Sequence, residues 1–236
     1  MTRRSARRSL PRGSHRAWLA ALLAVQLLTS CANSEGPQDP PGRSYEEAKA
    51  QVPLEGNDRE PLFWRVDHFS DPDAAAAAEA VQYYFVVFDI LGDTSPINED
   101  FFHLMSHFAT DERLIETRGW FPGPRSPSGS GIDYTGPRWL WIMNVTELPI
   151  HELGVIVCTD EGWYGWQPDD TFQEVESFTG TRWSIRGYVL RQVEDAGAAR
   201  WKVHDTKLVS DLLPEKERAE LDAACSDWAR HDWEGN

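Results

Sequence analysis

The 236 residues carry 23 Lys and Arg against 38 Asp and Glu, a formal charge of −15 with a pI near 4.8. That excess of negative charge repels nucleic-acid phosphates and anionic lipid headgroups, which argues against either as a direct partner. The length suits one domain with a tether, not a string of domains.

In chain order, residues 1–30 read as a secretory signal peptide. Six arginines (Arg3, Arg4, Arg7, Arg8, Arg12, Arg16) and no acid come first, followed by an apolar run from Ala17 to Leu28 broken only by Gln26. Twelve residues span ~18 Å, well short of a ~30 Å hydrocarbon layer, so a permanent membrane span is not expected. The signal closes on Leu28-Thr29-Ser30-Cys31, which resembles the bacterial lipoprotein box. The resemblance implies cleavage before Cys31, a diacylglycerol on its sulfur, often with a further acyl chain such as palmitate, and a lipid-anchored place on the extracytoplasmic face of the cell membrane. The alternative is a free cysteine that follows an ordinary signal. Cleavage removes six basic residues and no acid, taking the charge from −15 to −21. Attachment then depends on acyl chains, of which two hold far more firmly than one.

With Cys31 assigned to lipid, Cys158 and Cys225 remain as the candidate disulfide pair in an oxidising compartment. The alternative is two buried free thiols. Residues 31–61 hold Pro37, Pro40, Pro41, Pro53 and Pro61 among Gly, Ser and acids, the composition of a flexible tether, with Tyr45–Ala50 able to form a turn of helix.

A folded domain is expected over 62–213, starting near Leu62-Phe63-Trp64. Asp71-Pro72-Asp73 is a helix start, with a capping side chain, proline at the first helical position and an acid in the first turn. The helix that follows places Ala77, Val81, Tyr84, Phe85, Phe88 and Leu91 on one face and stops at Gly92. A second helix begins at Ser95-Pro96 or at Asn98, with Phe101, Leu104, Met105 and Phe108 at core spacing. Asp111–Arg118 forms a third. Residues 119–137, rich in Gly and Pro, read as a long loop, a class usually disordered or functional. The period then changes to two. Strands are expected over Trp139–Leu148, Leu153–Thr159, Arg182–Val193 and Trp201–Val209, with a hairpin turn at Asp195-Ala196-Gly197. In the first of them, Trp139, Trp141, Met143 and Val145 share one face and Leu140 and Ile142 the other. Residues 214–236 form a C-terminal helix and tail with Leu221, Ala224, Cys225 and Trp228 on one side.

Helices followed by antiparallel strands indicate an α+β domain with helices packed on a sheet. The Tyr83-Tyr84-Phe85 helix, the Leu91-Gly92-Asp93-Thr94 break, the short helix after it and the strands bearing Trp183 and Trp201 resemble actinobacterial lipoproteins with an NTF2-like (SnoaL-like) domain. The resemblance covers roughly residues 62–210 and implies a curved antiparallel sheet wrapped around the N-terminal helices as a cone with an open mouth. His103-Leu104-Met105-Ser106-His107 stands where some of those lipoproteins carry a cysteine pair.

Ten tryptophans lie beyond Trp18. Trp139, Trp141, Trp163, Trp166, Trp183 and Trp201 are candidate pocket-lining residues, with Asp160–Trp166 as a candidate rim; the plainer reading makes them core. His103 and His107, four apart, are too few for a metal site, so none is assigned. The cone of the resembling family sometimes hosts acid–base enzymes, for which Asp89, His103, Asp160 and His204 are the candidates here. None of them sits in a motif that demands catalysis, and no catalytic residue is assigned. No phosphate loop, nucleophile elbow or CxxC pair is present, so no cofactor is expected. The expectation is a lipid-anchored protein of the cell envelope whose domain binds a small apolar or carbohydrate ligand or another envelope protein; the alternative is an acid–base enzyme of isomerase or hydrolase type.

Overall fold

Residues 44–92, 97–120, 134–166, 174, 181–195 and 197–233 are described in the structure, a computed structural model. The expected signal segment, Cys31 and the expected tether up to residue 43 lie outside them, as do most of the expected 119–137 loop and Ala196 of the expected hairpin turn.

The fold begins earlier than the polar composition indicates. Ser44 caps the short helix α1 (Tyr45–Lys49) through a reciprocal box with Glu47, and Ala48 of that helix has no exposed surface. Val52 and Glu60 are also buried, so 44–61 belongs to the folded unit and not to a tether. Strand β1 (Leu62–Val66) follows and pairs parallel to β3, a pairing that five residues of mixed polarity did not announce.

Helix α2 (Pro72–Phe85) starts as expected, with the Asp71 carboxylate accepting from Asp73 N at 3.1 Å and Pro72 in the first turn. It widens into a π-helical turn over Val86–Leu91. Pro72–Leu91 is long and apolar enough to cross a membrane by composition, but more than half of it is buried inside this domain as the core helix. Helix α3 (Glu99–Ser106) takes Asn98 as its cap, and α4 (Asp111–Trp120) runs past the expected stop at Arg118.

Strand β2 (Tyr134–Thr135) pairs with β5 (Gly165–Trp166) as a small ribbon. The main sheet orders β1, β3 (Arg138–Leu148), β4 (Glu152–Asp160), β6 (Trp183–Asp195) and β7 (Ala198–Lys207), antiparallel except at β1. The last strand ends at Lys207, and Val209 opens the one-turn helix α5 (Val209–Leu212) instead of closing the strand. The sheet curls into a half-barrel around the helices. Its inner face joins Leu140, Ile142, Val155, Val157, Leu190 and Val203 to Val81, Tyr84, Phe85, Met105 and Phe108 in one core.

Two details correct the sequence reading. Met143 is an extra residue between the pairs Ile142–Val157 and Asn144–Ile156, a β-bulge. Met143 therefore stays on the tryptophan side while Val145 crosses to the inner core, so the four residues expected on one face are divided. The C-terminal helix α6 (Glu215–Trp228) covers the outer face, where Cys225, Leu221, Ala224 and Trp228 meet Trp141, Met143, Cys158 and Trp183.

The Cys158–Cys225 disulfide joins that helix to the central strand, with Cα atoms 5.7 Å apart and a sequence separation of 67. A loop of this length restricts the unfolded chain by about 4 kcal/mol. Replacing both cysteines with alanine should lower the unfolding free energy by about that amount, measured as a fall in the urea midpoint at unchanged slope.

Candidate functional site

The five candidate tryptophans whose side chains are described do not meet in one pocket. Trp139, Trp141 and Trp183 lie on the outer side of the sheet. Arg65 lies 3.9 Å above the Trp141 ring, Trp228 packs at 5.5 Å, and the indole N–H donates to Asp67 at 2.8 Å. Trp139 is stacked between Phe63 at 5.3 Å and His231 at 4.9 Å. Trp163 donates from Nε1 to the His231 carbonyl. The backbone of Trp166 pairs with Tyr134, and its side chain lies outside the described residues. Trp201 lines a groove described below.

Asp160, at the end of β4, has no exposed surface and is fully engaged. Its carboxylate accepts from Gly162 N, from Arg182 Nε at 3.2 Å, and from the His231 backbone N at 3.0 Å, with His231 Nδ1 also at 3.0 Å. A carboxylate so placed clips the chain after α6 onto the sheet and has no lone pair left for a substrate. His204 lies 3.2 Å from the Thr110 hydroxyl. His103 and His107 face each other at 5.6 Å, and burial together with the neighbouring His103 and Lys202 holds His107 below the usual histidine range. Among the described residues no group of three or more His, Cys, Asp or Glu converges as a metal site would require.

Asp89 is the one acid–base candidate that joins a larger cluster. Its carboxylate stands 3.9 Å from Arg186, beside Tyr188. Burial raises the Glu161 carboxyl above the ordinary range; Arg186 and Arg138 pull it down, and Asp89 and Asp160 add to the rise. Burial also pushes the Tyr84 phenol up to about 12, against the pull of Arg113, whose Nε donates to its oxygen at 2.8 Å. Arg138 is buried between the rings of Phe85 at 5.0 Å and Tyr164 at 4.1 Å and pairs with Glu60 at 3.1 Å. Its Nε has no partner. The sequence reading missed Glu161, Arg186, Arg138 and Tyr188 as a group. The available signal was a charged residue set inside an otherwise apolar strand, as Arg186 is between Ile185 and Gly187-Tyr188-Val189.

A groove of about 560 Å³ opens at the other end of the sheet, between the first turn of α2 and the β3–β4 hairpin. Asp71 and Asp73 stand on the helix side, Glu147 and His151 on the hairpin side, and Gln192 and Trp201 on β6 and β7. The Trp201 indole packs partly on the inner core, and its N–H donates to Asp73 at 3.1 Å. Arg191 is paired with Glu152. A second hollow of about 300 Å³, reaching His68 and Phe69, shares Asp71, Glu147 and Leu153 with the first, so the two form one elongated depression. At the hairpin tip Ile150 and His151 both hold positive φ, 61° and 59°. A β-branched residue in that region is strained, and strain of this kind concentrates where a surface has a task.

No protein-family model, curated protein or solved structure matches the chain. The functional reading therefore rests on the residues themselves.

Two outcomes follow. Replacing Trp141 with alanine should cost about 3 kcal/mol in chemical denaturation, because a half-buried indole and its bond to Asp67 are lost together. Glu161, whose folded-state pKa is raised, favours the fold while protonated and loses that contribution as pH rises from about 4 through its raised value. Glu161→Gln should therefore melt higher than the parent at neutral pH, the difference closing near pH ~4 in a thermal melt series.

Proposed function

We propose that this chain is a membrane-tethered extracytoplasmic lipoprotein, anchored through lipid on Cys31, whose α+β domain is NTF2-like (SnoaL-like) and binds a ligand without transforming it. The observation that carries the proposal is the Cys158–Cys225 disulfide. A structural bridge of this kind persists in oxidising compartments and is rare in reducing ones, which agrees with the arginine-led apolar signal and with Leu28-Thr29-Ser30-Cys31. The curled half-barrel around α2 and α3 is compatible with the cone that the resemblance implies. Support for binding comes from contrast: Asp160 is committed to structural hydrogen bonds, whereas the groove beside Trp201 is open to solvent and lined by polar groups.

A second reading has its own observation. Glu161, lifted above the carboxylate range beside Arg186, Asp89 and Tyr188, has the environment of a general acid, as an isomerase or hydrolase acting in the cone requires. A Glu161→Gln protein that folds normally but loses a turnover seen in the parent would support that reading.

The anchoring is tested by growth with radiolabelled palmitate. The parent should take up label and partition with membranes, and Cys31→Ser should remain unlabelled and unprocessed. A parent that never incorporates label, or a Cys31→Ser form processed and membrane-bound like the parent, would overturn the proposal.

A further inference from the structure

We infer that the elongated groove beneath the first turn of α2 is a saccharide site, taking a neutral, hydroxyl-rich ligand with one sugar face against Trp201 and its hydroxyls on Glu147 and Gln192. The inference deepens the binding role proposed above and rests on it.

The size comes first. A depression of about 560 Å³ that continues, through Asp71, Glu147 and Leu153, into a hollow of about 300 Å³ leaves room for more than one sugar ring in line. The lining comes second. Among the described residues Glu147, His151 and Gln192 have no side-chain hydrogen-bond partner, and they stand around the cavity facing solvent. A sugar offers what these groups lack: hydroxyls that donate and accept in several directions around a ring. The third point is the aromatic wall. Trp201 is held by the core on one part and by Asp73 through its N–H, so its orientation is set before any ligand arrives. A fixed indole next to uncommitted polar side chains accommodates a ring whose faces carry C–H groups and whose rim carries hydroxyls.

Other ligand classes fit less well. Asp71, Asp73, Glu147 and Glu152 repel an anion, and the nearby Arg191 is already paired with Glu152. A wholly apolar ligand would strip water from those carboxylates without replacing the lost hydrogen bonds. A small organic cation is the nearest competitor on charge alone, but it leaves the Gln192 amide and the length of the groove unused.

The test is calorimetric titration of the full-length chain, purified in a detergent without a sugar headgroup, with chitotriose, maltotriose and spermine. At least one trisaccharide should give a saturable isotherm. Gln192→Ala and Glu147→Ala, both at exposed positions that leave the core alone, should each weaken it by roughly five- to ten-fold, the loss of about one hydrogen bond. Trp201→Ala should abolish it, and Trp201→Phe, which keeps a ring and the packing, should retain part. Absence of saturable heat with both trisaccharides overturns the inference, as does binding that is unchanged in the Gln192 and Glu147 variants. Spermine binding sensitive to the same variants, with no trisaccharide signal, also overturns it while leaving a ligand-binding role intact. None of these results bears on palmitate incorporation at Cys31, so failure here and failure of the anchoring are told apart.

Discussion

From Leu153 to Asp160 the central strand β4 is buried on both sides, and that constraint sets the place of the helices around it. Val155 and Val157 point into the core made with α2 and α3, while Ile156 and Cys158 point the other way. A sheet with a single apolar face could leave its back to water. This one cannot, so the chain must supply cover twice, once before the strands and once after them. Helix α6 is a poor candidate for unaided docking, because it is charged along most of its length and Cys225 is its one fully buried residue. The covalent link from that cysteine to β4, together with the Asp160 clip on His231, holds a polar helix where a greasier one would have stayed by itself.

Much of the secondary structure was legible because each element carries a local signal. Asp71-Pro72 starts α2, Asn98 caps α3, alternation marks β3 and β7, and runs rich in β-branched residues mark β4 and β6. The Cys158–Cys225 bridge was one of two readings open to the sequence, which left those two thiols once Cys31 was set aside, and the structure forms it. What stayed hidden depends on distant partners. The folding of 44–61 rests on Ala48, Val52 and Glu60 finding cover from elements far along the chain, and nothing in a proline-bearing polar stretch says so. Strand β1 becomes a strand because β3 offers it an edge.

The site was less legible than the fold for a related reason. Tryptophan count pointed to aromatic surface but could not say where it would go. Three of the six tryptophans singled out cover the outer face of the sheet, and the groove draws its wall from residues as far apart as Asp71, Glu147 and Gln192. The cluster of Asp89, Glu161, Arg186 and Tyr188, whose arginine is half exposed, is equally dispersed. Arg186 stands there with two acids, and composition, which registers only the net acidity of the chain, gives no hint of a cation placed among them.

The extra residue in β3 has a bearing on how this chain can vary over time. Between Trp139 and Ile142, loss of one residue would exchange the sides of one flank of the strand and send an indole toward α2. Met143 is different, since the ladder already skips it and its loss would return the strand to plain alternation with Leu140, Ile142 and Val145 still facing inward. The strand thus contains one dispensable position, and shortening during descent should be found there or at the hairpin tip before it is found anywhere else along its length.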